Sequence, residues 1–410
     1  MSEGEKSSIL EGIRVVENSV WIAGSVTTNM LGDLGAEIIK VERPGGGPEA
    51  GSTRLHGAEQ IRRVGGHVIR SDPTGHNKKR ITVDATKEKG RQVLYRLIEK
   101  SDAFLHNLTP GKVVDLGLDY STLCRYNPKL VYGTICGYGR HGPDSLVPSQ
   151  DPTGLARSGL MFAAHPGKDP SYLVGILGDT MTGTMLAYGM VAALLHQKRT
   201  GVGQEVSISQ LGSLMWLHYI HIAVNLLNGQ EFKEHVRAKA ENPLLNWYQC
   251  QDGKWICLGS HQADKDWPDY CEILGIKDLE QDPRFVDSAA RTAHAAELIA
   301  IMDKKFATMP REEWLRNFRK ANPGLAVAPL NRVSELSSDP QVPANNYVIP
   351  FEHHIAGKMQ VFGRPIEFSK TPSPARQRAP ELGENTEEVL TGLLGYSWDE
   401  VESLAKEGVI

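Results

Sequence analysis

The chain has no concentrated positive charge, no long apolar run and no paired-cysteine motif, and each absence removes a class of function. Its 45 Lys+Arg stand against 49 Asp+Glu, a formal net charge of −4. Bulk nucleic-acid binding needs a dense positive field, so nucleic acid is not an expected partner. A small basic pocket for an anionic cofactor is still allowed. The richest apolar stretch, Thr184 to Leu195, is interrupted by Tyr188 and Gly189 and falls short of the roughly 20 residues of a spanning helix. The opening Met1-Ser-Glu-Gly-Glu-Lys-Ser-Ser has no apolar core of a secretory leader. A soluble, cytoplasmic protein without a membrane partner is the expectation. Cys124, Cys136, Cys250, Cys257 and Cys271 are odd in number and lack a C-x-x-C pair, which fits free thiols in a reducing compartment. Cys250 and Cys257 flank Asp252-Gly253, a hairpin signal that would let them face each other across two strands.

With 40% hydrophobic residues over 410 positions, a large core can be buried and two domains are the default. Ile13–Glu17 reads as a strand, Ala23–Leu34 as a helix stopped at Gly35, and Glu37–Val41 as a second strand. Ile81–Asp84, Lys87–Lys100 and Ala103–His106 repeat the strand–helix–strand pattern, and Leu130–Ile135 adds another strand. Such alternation predicts an α/β fold with a parallel sheet and helices on both faces. Thr182–His196 reads as a buried helix closed by Lys198-Arg-Thr-Gly201. The expected large domain is Rossmann-like, with its N-terminal part at 1–227. A polar linker at 228–245, a smaller α+β domain at 246–328 and a return segment at 329–410 follow. Asn385–Glu388 and Ser397–Glu400 read as capping boxes in that return.

Several motifs promise more than they deliver. Gly137-Tyr-Gly-Arg-His-Gly142 matches a dinucleotide fingerprint, which works only where the last glycine opens a helix. Pro143 and Pro148 argue against that helix, so no nicotinamide cofactor is expected. No Walker A, H-E-x-x-H or G-x-S-x-G sequence occurs. His218/His221 and His353/His354 lack acidic or cysteine partners at ligand spacing, so no metal is expected.

The segment Leu177-Gly-Asp-Thr-Met-Thr-Gly183 sets an acid between glycines at the start of the buried helix. Helix N–H groups and the dipole favour the ionised form of a carboxylate there, and an ionised, partly sequestered carboxylate is a competent nucleophile. A plain helix cap is the competing reading of Asp179. The wider pattern then matters. Leu10–Glu17, Met30–Gly46, Asn77-Lys-Lys-Arg-Ile, Asn107-Leu-Thr-Pro-Gly, Asn127-Pro-Lys-Leu-Val-Tyr, Gly137–Pro143, Leu177–Gly183, Thr200-Gly-Val-Gly-Gln and Ala379–Thr386 follow one another along the chain. As an ordered set they resemble the class III CoA transferases, the CaiB/BaiF or formyl-CoA-transferase-like family.

That resemblance implies an enzyme moving coenzyme A from an acyl-CoA thioester to a free carboxylic acid, with Asp179 as nucleophile. It also implies an interlocked, ring-like homodimer, with a pairing to an unlike paralogous chain as the variant. Asp179 would form a mixed anhydride and then an aspartyl-CoA thioester. Backbone N–H groups in Trp21-Ile22-Ala23-Gly24 and at Gly259-Ser260 are the candidate oxyanion donors. Family position places Trp21, Ile22, Arg43, Val83, Asn107 and Leu108 at the cofactor, with Lys79 in the nearby Asn77–Arg80 cluster and Arg140 in the Gly137–Gly142 turn. Asp115 replaces a family arginine, with Lys112 as the compensating cation, and Pro148 stands where some members have lysine. An α-methylacyl-CoA racemase is the nearest rival, but Gln150-Asp151 replaces its His-Asp pair, and Gln cannot exchange a proton near neutral pH. Asp151 would instead orient Asp179 or the thioester. A non-catalytic subunit is the remaining alternative. Trp216, His218, Tyr219, Trp247, Tyr248 and Met161-Phe162 would line an acyl pocket for an aromatic, branched or 2-hydroxy acid.

Overall fold

Six short parallel strands form the centre of the larger unit. They are β1 (Arg14–Asn18), β2 (Glu37–Glu42), β3 (Lys78–Thr82), β4 (Ala103–His106), β5 (Val131–Cys136) and β6 (Glu205–Ser209), in the order β3-β2-β1-β4-β5-β6. The computed structural model describes residues 8–46, 62–64, 67–69, 74–172, 175–231, 233, 235–371 and 373–410. Adjacent apolar residues of each strand point to opposite faces. Val16, Ile39, Phe104 and Tyr132 meet Val93 and Leu97 of the Glu88–Glu99 helix on one face. Val15, Ile38, Leu105 and Val131 meet Leu31 of the Ala23–Asp33 helix and Leu186 and Met190 of the Leu177–Thr200 helix on the other. Burial on both faces explains why these strands read as continuous apolar runs.

The C-terminal segment completes this unit. Val389, Leu390, Val401, Leu404 and Val409 join the first of these cores, and Asp84 N–H donates to Val409 O at 2.7 Å. Ser397 forms its capping box with Glu400. Asn385 does not, because its side-chain oxygen accepts from Arg80 N–H at 2.9 Å and is spent on the edge strand β3.

The chain divides into residues 1–232 with 346–410, and 233–345. The second unit is an antiparallel sheet of β7 (Leu245–Gln249), β8 (Trp255–Gly259) and β9 (Val327–Leu330), with Tyr248, Ile256, Trp267, Phe306 and Trp314 in its core. It is wider than the 246–328 expected, for two reasons. Arg237 pairs with Asp303 at 2.8 Å and its carbonyl accepts from Asn246. Past β9, Glu335 pairs with Lys254. The hairpin at Asp252-Gly253 forms, but Cys257 sits opposite Trp247 and Cys250 N–H bonds Lys254 O. The two thiols are therefore out of register. The Leu177–Thr200 helix is buried along one stripe only, with Tyr188 74% and Leu195 58% exposed.

Candidate active site

In a parallel sheet all carboxyl ends lie along one edge, and ligands bind where the strand order reverses. Here that point lies between β1 and β4. Asn107, directly after β4, spans it: its Oδ1 accepts from Val20 N–H at 2.9 Å and its Nδ2 donates to Val20 O at 2.6 Å. Its amide is thus a clamp on the first βα turn rather than a free ligand. Trp21, next in the turn, has φ 62 and is 42% exposed. A positive φ at a bulky residue is an outlier that surrounding structure must hold.

Below the turn lies Glu17, wholly buried at the end of β1. Its carboxylate accepts from Ser19, Ser25, Thr28 and Lys78 at 2.5–3.0 Å, and Lys40 lies at 3.3 Å. Burial alone would raise its pKa, but Lys40, Lys78 and the hydroxyls outweigh burial and hold it far below the usual carboxylate range.

The Leu177–Thr200 helix crosses the start of the Ala23–Asp33 helix at Gly183, where a Cβ would come within 2.5 Å of Ala23 O. Asp179 lies one turn earlier on the same face. Ile176 and Thr180, on either side of it, line a cavity of about 790 Å³ together with Ile22, Val26, Phe351 and Val361.

Asp179 is not the helix cap. Ile176 occupies the cap position with φ 65, a rare conformation for a β-branched residue. Asp151 supplies the cap from the Asp151–Arg157 helix: its Oδ1 accepts from Gly178 N–H at 2.7 Å and Asp179 N–H at 3.1 Å. Its Oδ2 accepts from Ile176 N–H and the Tyr172 hydroxyl. The orphan amides of the helix start are satisfied from outside, which releases the Asp179 carboxylate. That carboxylate accepts from Gln210 Nε2 through Oδ1 at 2.9 Å, and Oδ2 has no hydrogen-bond partner among the described residues. The expected dipole stabilisation is overridden. Burial first, then the Asp151 charge, push Asp179 up to about 6 against the lowering pull of Gln210. Gln210 and Asp151's capping role carried no local sequence signal beyond their places after β6 and before a helix.

The remaining expected site residues divide. Arg43 and Lys112 are exposed at the carboxyl edge of the sheet. Leu108 is half-buried, its N–H donated to His106 Nδ1. Val83 is buried in the core with its N–H donated to Glu42 O, so that N–H is not open to a ligand. Lys79 pairs with Glu37 and Glu388 and Arg140 with Glu205. Gly259 and Ser260 belong to the second unit, where their N–H groups are donated to Ala326 O and Leu244 O. They are therefore not open oxyanion donors. Gln150 is exposed, its N–H bonded to Thr153 Oγ1. None of the aromatic residues read as an acyl pocket lines the cavity. Trp216 and Tyr219 stack on each other at the surface, and Tyr248 fills the core of the second unit. No helix opens at Gly142; the next begins at Asp151. Among the described residues no cluster suits a metal, and no helix is long and apolar enough to cross a membrane.

A doubly wound parallel sheet with the half-buried Asp179 carboxylate near its carboxyl edge places the larger unit in the α/β class. The profile of CoA-transferase family III matches residues 10–386, and the chain belongs to that family. It is a class III CoA-transferase. It is 30% identical to a mouse succinyl-CoA:glutarate CoA-transferase over all of this chain and 92% of the relative. It is also 30% identical to a cinnamoyl-CoA:phenyllactate CoA-transferase of Clostridium sporogenes, over 98% of this chain and 97% of that one. A CaiB/BaiF family protein from Brucella suis superposes with a TM-score of 0.82 at 27% identity, covering 94% of this chain and all of that one.

Proposed function

We propose that this enzyme transfers CoA through covalent intermediates on Asp179. Oδ2 attacks the acyl-CoA carbonyl, and the C–S bond breaks to give a mixed anhydride and CoA thiolate. The thiolate attacks Cγ of Asp179, which releases the donor acid and leaves an aspartyl-CoA thioester. The acceptor carboxylate then runs the same steps in reverse. The observation that carries this reading is the transfer of the capping role to Asp151, which leaves Asp179 ionisable near neutral pH with one oxygen uncommitted. One thioester is made as another is broken, so no ATP is needed. First-turn amides of the Ala23–Asp33 helix supply donors for the oxyanion on the acyl carbon. Arg43 and Lys112 are exposed, described cations that suit CoA phosphates. The racemase reading lacks its base, since Gln150 does not titrate. Asp179→Asn should keep the fold and lose exchange of labelled acid into acyl-CoA by at least about 10³-fold. Near-normal exchange would remove Asp179 from the chemistry.

The Tyr219–Asn228 helix has no buried residue, with Leu226 79% and Leu227 85% exposed. We assign that apolar face to a second copy of the chain; a monomer mass in sedimentation at micromolar concentration would remove the assignment.

A further inference from the structure

Gln210 opens the Gln210–Leu217 helix after β6 and is 5% exposed. Its amide is wedged between two helices, and Gly154 makes the room on one side while Gly178 lies in ordinary contact on the other. A Cβ at Gly154 would sit 2.6 Å from Gln210 Oε1, and one at Gly178 would sit 3.5 Å from Nε2. Ser149 Oγ donates to Oε1 at 2.5 Å, while Nε2 donates to Asp179 Oδ1 at 2.9 Å. The orientation follows from chemistry: an ionised carboxylate only accepts, so the NH₂ end must face Asp179 and the carbonyl end must face the hydroxyl. A surface glutamine serving as packing would need neither the hydroxyl partner nor the glycine at 154.

We infer that Gln210 is a catalytic hydrogen-bond donor that fixes Oδ1 of Asp179, selects Oδ2 as the attacking oxygen and then stabilises charge building on Oδ1. The inference rests on the aspartyl-anhydride reading. Once Oδ2 is acylated, Oδ1 is the carbonyl oxygen of the anhydride. Thiolate attack on Cγ forms the C–S bond and moves an electron pair onto Oδ1. Collapse then expels the donor carboxylate with the electrons of the broken C–O bond. The Nε2–H already aimed at Oδ1 meets that charge without reorganisation, which is what an oxyanion-hole donor requires. The same contact opposes the burial that raises Asp179. Its loss should therefore move the acid limb of the rate profile to higher pH.

The test is Gln210→Leu beside Ser149→Ala and Asp179→Asn, with kcat, KM for acyl-CoA and the pH profile of each. Gln210→Leu should lower kcat about 10²–10³-fold, leave KM within about threefold and raise the acid limb. Ser149→Ala removes the hydroxyl that anchors Oε1 and loosens the amide, and should lower kcat about tenfold with the same direction of shift. A Gln210→Leu kcat within about twofold of wild type and an unmoved acid limb would overturn the role. If that variant does not fold, the same result in Ser149→Ala does so. An active Asp179→Asn variant would instead sink the anhydride reading beneath it.

Discussion

At the scale of single residues, Asp179 is held in a state that disfavours folding. The Asp179 carboxyl has an ordinary value of 3.8 and is raised to about 6. A folded-state pKa raised above the unfolded one means stability that is present at low pH and lost as pH rises through about 6. By linkage the ionised side chain costs about 3 kcal/mol above that point. Asp179→Asn keeps the Gln210 contact and removes the charge, so it should be more stable than wild type by about 2–3 kcal/mol at pH 8 and indistinguishable near pH 3.5. Urea melts at the two pH values check this, and equal stability at both would contradict it. Sequence reading found Asp179 through its glycine-bounded setting but assigned its ionisation the wrong sign. A helix dipole is local and legible, whereas the burial and the Asp151 charge that outweigh it come from elements 28 residues apart in the chain.

The elements themselves were largely legible. β1, β2 and β4 fall within a residue of their expected bounds because runs such as Ala103-Phe-Leu-His106 are buried on both faces. Their edges were less so, since β3 takes Lys78, Lys79 and Arg80 into a strand. What made that possible is Glu17, which gives the buried Lys78 its counter-charge, and no pattern in the local sequence joins residues 17, 40 and 78. The cluster ties β1, β2, β3 and the Ala23–Asp33 helix beneath the turn that carries Trp21. Glu17→Gln removes the anion that Lys40 and Lys78 share, and removing one partner of such a buried pair costs about 3–5 kcal/mol. Chemical denaturation at pH 7 should show that loss. Because Glu17 is depressed below its ordinary 4.5, its contribution should also fade as pH drops below that value. A variant within 1 kcal/mol of wild type, at about the precision of such melts, would show that the cluster is not holding the turn.

For the whole molecule, the family pattern speaks to the activity rather than to the partners of individual side chains. Motif order along nearly the entire chain pointed to CoA transfer, while the partners that Lys79, Arg140, Gly259 and Ser260 hold within the fold were not legible in it. Ion pairs to Glu388 and Glu205 depend on which distant strands meet, which an ordered list of motifs does not encode. CoA transfer as proposed depends on one covalent event at one side chain. The most direct measurement is to mix the enzyme with an acyl-CoA, quench with hydroxylamine and read peptide masses. A hydroxamate on Asp179, absent without acyl-CoA and absent from the Asp179→Asn variant, is the predicted result. An unmodified Asp179 peptide during active turnover would contradict the account.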